Sequence, residues 1–169
     1  VRKVYPDSLE VRIEEREPFA IWQHGDQLQI VGREGNVITP FSGGRHAALP
    51  LVTGYGAVDH AIAFVEKVGR YPELSARVKG YVRVSERRWN LRLENGITVK
   101  LPEAGQDAAL ADLLRMDRES GLLSRDIVAV DMRLAERLVV QLSPEAETKR
   151  NVALGDLFKA SKGKAGKKI

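Results

Sequence analysis

The stretch that most restricts the fold is "DIVAVDMRLAERLVVQLSP", residues 126–144. It reads as two apolar strands joined at "LAER", followed only by a lysine-rich tail, so the chain closes on a hairpin whose last strand has no later strand to lie against. In extended form Leu138, Val140 and Leu142 share one face, and Arg137, Val139 and Gln141 share the other. An edge strand exposes a row of N–H and C=O groups, and residues 137–142 carry no Pro and no inward charge to block pairing.

The rest of the chain supplies the sheet this hairpin needs. Leu9, Val11 and Ile13 alternate with Glu10, Arg12 and Glu14, after a short strand-like run at Val1–Tyr5 and a "YPD" turn. Pro18 bends the strand that follows. "LQIV" and "NVITP" flank "GREG" as a hairpin. The run "SGGRHAALPLVTGYG", with four glycines and a proline, reads as a loop. A helix starts at Ala57, with Val58, Ala61, Ile62, Val65 and Val68 as its stripe, and is stopped by Gly69 and Pro72. Strands in "ARVKGYVRVSE" and "RRWNLRLENGITVKLP" turn at Asn95-Gly96, the strongest hairpin signal in the chain. A second helix over 107–120 buries Ala109, Leu110, Leu113 and Leu114 and ends at Gly121. Hairpin-rich, segregated order of this kind predicts an α+β fold: a mixed, mainly antiparallel sheet with two principal helices.

Charge is distributed unevenly. Residues 149–169 hold seven basic groups and one acid, net +6, and the other 148 residues are net −2. The tail, not the body, makes the chain basic, so a phosphate-tracking body surface is not expected. A basic tail of low complexity, expected to be disordered, leaves one rival function: an adaptor for nucleic acid or another anionic surface. The chain has no cysteine, which excludes disulfides and thiolate metal sites. Its opening without Met, already in strand alternation, suggests a piece of a longer protein.

Catalytic patterns are weak. His24, His46 and His60 are scattered without metal spacing, and "GYGAVDHA" lacks a full dinucleotide fingerprint. The reading is a non-enzyme without cofactor or metal; an unrecognised catalytic site would need a pocket with converging acid–base groups. In "SERRWNLRL", Arg87 and Arg88 are placed to lie over Trp89 or to fork onto an acid. Trp89 itself is either a core residue or a docking spot.

Five segments together resemble one family. "VYPDSLEVRIEEREPFAIWQ", "IVGREGNVI", "LPLVTGYGA", "ERRWNLRLENGITVKLPE" and "VDMRLAERLVVQLSP" are similar, in this order, to the FtsQ/DivIB family of bacterial cell-division proteins. The resemblance implies closing strands of a POTRA domain at 1–17, an FtsQ-type β domain at 18–148, and the basic tail at 149–169. It implies a scaffold of the divisome without enzymatic activity, anchored in the inner membrane by one helix absent from this chain, with this region in the periplasm. The implied partners are FtsB-like and FtsL-like proteins, met by strand addition at the closing hairpin, with no nucleic acid and no small-molecule substrate. The implied partner-binding residues are Arg87, Arg88, Arg133, Leu134, Arg137, Leu138, Val139, Val140, Gln141 and Leu142. "DMRL" matches the family's Asp-Leu-Arg-aromatic motif and places Arg133 for an acidic group of the partner. Leu134 stands where some members have tyrosine, and "VVQLSP" where the best-known member has a Gly-Trp step.

Overall fold

A computed structural model describes residues 2–4, 8–10, 15–134 and 137–165. In chain order its strands and helices are β1 (Arg2–Val4), β2 (Ser8–Glu10), β3 (Pro18–His24), β4 (Gln27–Gly32), β5 (Val37–Pro40), β6 (Leu51–Thr53), α1 (Ala57–Gly69), α2 (Pro72–Ser75), β7 (Val78–Val84), β8 (Arg88–Leu93), β9 (Thr98–Lys100), α3 (Gln106–Ser120), β10 (Ile127–Leu134), β11 (Arg137–Leu142) and α4 (Pro144–Ala165). β1 and β2 pair with each other in a separate two-stranded sheet. Of the strand expected over residues 9–15, β2 ends at Glu10, and 11–14 lie outside the described residues.

The other nine strands form one sheet in the order β11-β10-β9-β8-β7-β6-β3-β4-β5. Pairing is antiparallel except between β9 and β10, β3 and β6, and β6 and β7. The α+β architecture with a mainly antiparallel sheet is therefore as expected. β3 opens on Pro18, a position where the missing N–H costs the ladder little. The "SERR" turn between β7 and β8 places Ser85 and Glu86 at φ 50° and 57°. Two consecutive left-handed residues turn the chain with the twist an antiparallel pair prefers, and the Arg83 guanidinium donates to the Glu86 carbonyl within it. At the Asn95-Gly96 hairpin only Gly96 has positive φ, at 86°, and its N–H donates to the Leu93 carbonyl at 3.0 Å. Asn95 instead turns its side-chain amide onto the Leu123 carbonyl, 2.8 Å away.

Both principal helices lie on one face of the sheet and share its core. α3 buries Ala109, Leu110, Leu113 and Leu114, and Gly121 caps it in the left-handed region, as the sequence indicates. α1 is rotated from the expected stripe. It buries Ala57, Ala61, Phe64 and Val68, while Val58, Ile62 and Val65 are half-buried. Phe64 sets the rotation: its ring stacks on Trp89 at 4.6 Å and meets Tyr81 edge-on at 6.0 Å. Trp89 is 4% exposed and is thus a core residue. Arg83 of the adjacent strand, not Arg87 or Arg88, carries the guanidinium over its ring, at 5.6 Å. A half-buried network ties α3 to the sheet. Arg77 donates to Asp117 at 2.9 Å and to the Leu123 carbonyl at 2.8 Å, and Asp117 accepts the Leu123 N–H at 2.7 Å.

Two further expectations are corrected. The glycine-rich stretch read as a loop contains β6, a strand paired on both sides, with Val52 fully buried. Three residues held by two neighbours need no intrinsic strand preference. Gly54, at φ 107°, lets the chain leave β6, since a Cβ there would sit 2.2 Å from the Arg83 carbonyl oxygen. The tail expected to be disordered is the second correction: α4 runs from Pro144 to Ala165, across the boundary placed at 148. The Ser143 hydroxyl accepts the Ala146 N–H at 3.1 Å and Pro144 follows as the first helical residue, which is a complete helix start. No helix among the described residues is long and apolar enough to cross a membrane.

Candidate partner-binding edge

β11 is the terminal strand of the nine-stranded sheet, and among the described residues it pairs with β10 alone. The register sets Ala129 against Gln141, Val130 against Val140 and Asp131 against Val139. Alternation follows the sequence reading. Leu138, Val140 and Leu142 are half-buried against the core, while Arg137, Val139 and Gln141 are exposed. Leu134, at the end of β10, is 56% exposed and Val139 is 51% exposed. The turn at 135–136 lies outside the described residues.

The face away from the helices is polar near this edge. Two rows cross it in register: Asn90, Lys100, Asp131 and Val139, and Arg92, Thr98, Ala129 and Gln141. Arg133 projects from β10 but is already engaged. Its Nε donates to both Asp131 oxygens at 2.9 and 3.0 Å, and its Nη2 donates at 2.6 Å. This fork, together with the Arg133 backbone N–H and the nearby Lys100 charge, holds the Asp131 carboxyl below the usual carboxylate range against the opposing effect of burial. Lowered in the folded state, Asp131 contributes stability above the ordinary carboxyl range, about pH 4, that is lost as pH falls through its depressed value. Carboxyl-carbon NMR is expected to show Asp131 titrating below that range, and Arg133→Ala is expected to move it upward. An unmoved titration in the variant contradicts the pairing.

On the helix side, a groove of about 650 Å³ opens between the start of α3 and the end of the hairpin, lined in part by Met116, Met132, Arg133, Leu134, Arg137 and Leu138. Arg87 lies at its margin, with Nε 3.7 Å from a Glu103 oxygen that also borders the groove. Arg88, half-buried in β8, is not part of it. The groove thus brings Arg133, Leu134, Arg137 and Leu138 together, with Val139 to Leu142 running on along the edge, while Arg87 does not line it and is linked to its border only through Glu103. Sequence reasoning missed Met116 and Met132, whose spacing carries no signal until α3 is laid against β10. It also missed Asp131 as the ligand of Arg133, although two residues apart on a strand is a same-face spacing.

Comparison with known proteins decides the lineage. The family model described as "Cell division protein FtsQ/DivIB, C-terminal" matches residues 20–133. The chain belongs to the FtsQ/DivIB family. It is 46% identical over 162 residues to a cell division protein FtsQ of Rhizobium radiobacter, covering 96% of this chain and 77% of that one. It is 51% identical over 153 residues to the FtsQ of Rhizobium meliloti, covering 90% of this chain and 50% of the relative. The chain therefore spans three quarters of the first relative's length and half of the second's. A solved extracytoplasmic domain of DivIB from Geobacillus stearothermophilus overlays loosely, with TM-score 0.38 at 15% identity over 64% of this chain and 96% of that one. The FtsQ/DivIB match starts in β3 and stops at Arg133, so β11 and α4 lie beyond it.

Proposed function

We propose that this chain is the periplasmic part of a non-catalytic FtsQ-type scaffold, held to the inner membrane by a helix elsewhere in the whole protein. It recruits FtsB-like and FtsL-like division proteins by accepting a strand of the FtsB-like partner on β11. The β1–β2 hairpin is read as the end of a POTRA domain preceding the β domain. The observation that carries the proposal is the position of β11: six residues, no proline, at the rim of the sheet, with one neighbour among the described residues. The opposite rim is a poorer acceptor, because β5 has four residues and ends on Pro40.

Strand addition supplies affinity through main-chain hydrogen bonds, and alternate side chains select the partner. Here the added strand extends a half-buried apolar face made by Leu138, Val140 and Leu142 and an exposed mixed face made by Arg137, Val139 and Gln141. Arg133 and Arg137 supply cationic groups for partner acids, with Arg133 exchanging or sharing its bond to Asp131. Leu134 borders the same surface and Arg87 reaches toward it through Glu103, whereas Arg88, half-buried in β8 and outside the groove, is given no contact. Calorimetric titration with the soluble segment of an FtsB-like protein from the same bacterium tests the reading. Saturable binding is expected, and no heat at any accessible concentration contradicts it.

A further inference from the structure

Helix α4 begins at a fixed point. The Ser143 N–H donates to the Asp126 carbonyl at 3.3 Å, its hydroxyl caps the helix, and one residue separates β11 from the first turn. Over residues 144–154 the fold gives the helix little support. From 144 to 154 only Ala146 is half-buried, and every other residue is exposed, Val152 at 60%. A helix of 22 residues is about 33 Å long, and one without tertiary packing is only marginally stable in water. It is also where the charge sits, since residues 149–169 are net +6 against a body of net −2.

We propose that α4 is a second contact for the partner whose strand adds to β11, and that it fits an acidic segment running on from that strand. The proposal rests on the strand-addition reading. A strand paired along β11 to Leu142 emerges beside the first turn of α4, so the next residues of the partner pass Lys149, Arg150 and Val152. Lys149 and Val152 are three apart and lie on neighbouring positions of one helical face, pairing a cation with an apolar anchor. Glu145 and Glu147 of the first turn offset Lys149 and Arg150, so an acidic segment meets complementary charge only past that turn, at Lys149, Arg150 and the excess positive charge of the C-terminal region. An anionic membrane fits less well, because an interfacial helix needs one strongly apolar face, and α4 has almost no amphipathic bias.

The test compares the parent chain, Lys149→Glu/Arg150→Glu, Lys149→Gln/Arg150→Gln and Val139→Pro for binding to the soluble segment of the FtsB-like protein. Charge reversal is expected to weaken binding by about tenfold or more at low salt, with a smaller loss in the neutral variant. The difference should close near 1 M salt, where screening acts within about 3 Å. Val139→Pro is expected to lose binding at every salt concentration. Equal binding by parent and both charge variants overturns the α4 contact and leaves the β11 reading intact. So does a charge effect that is absent for the soluble segment and present only in a parallel measurement of binding to phosphatidylglycerol vesicles. Absence of binding by the parent overturns both.

Discussion

Val139→Pro is expected to weaken association with an FtsB-like segment by about 100-fold or more while the domain stays folded. Proline removes one edge N–H and places its ring where the added strand must approach. A lost backbone hydrogen bond with an orphaned acceptor and a steric clash together cost on the order of 3 kcal/mol. The register across 139–141 is unbroken, so the main-chain groups of Val139 and Val140 point to opposite sides of the strand. One of the two positions faces β10 and the other faces outward. Val140→Pro is the companion variant, expected to lower the melting temperature because it breaks the β10 ladder. If the two behaviours are exchanged, the outward N–H belongs to Val140 and the edge assignment holds. Unfolding of both variants, or undiminished binding by both, contradicts it.

Trp89→Ala is expected to destabilise the fold by about 3–5 kcal/mol, in the range for a large aromatic removed from a packed core. At roughly 2–4 °C per kcal/mol for a chain of this size, the melting temperature should fall by about 10 °C. The ring stacks on Phe64 and has the Arg83 guanidinium 5.6 Å from its centroid, so its removal loosens α1 from β8 and leaves a void beneath the helix. Below its melting transition the variant should bind the partner segment normally, since Trp89 faces the core and not the rim. Unchanged stability with lost binding would make it a docking residue instead.

How far these features could be read from the sequence depends on what fixed each one. α3 was legible because four apolar residues at helical spacing end at a glycine, and burial alone decides that face. The closing hairpin was legible for a similar reason: its alternation survives intact, and the strand order places β11 at the rim, with no later strand among the described residues. β6 was not, because Leu51-Val52-Thr53 is too short to show a period and is a strand only through its neighbours β3 and β7. In α1 the aliphatic positions pointed about one residue away from the true buried face, which the contact of Phe64 with Trp89 determines. α4 was legible in principle, since "SPEAE" is a helix start with its cap, its proline and its acids in place. The lysine- and glycine-rich composition downstream obscures it, because it carries no apolar period. The site was partly legible. The edge residues follow from alternation, whereas the Asp131–Arg133 fork and the methionine-lined groove depend on side-chain directions that alternation does not give.

The most direct measurement is amide hydrogen exchange along residues 137–142, in the chain alone and with the partner segment bound. Alternate amides of β11 should exchange rapidly in the chain alone and become protected in the complex, while those bonded to β10 remain slow in both. Uniform protection of all six in the isolated chain, or no change on binding, would contradict strand addition at this edge.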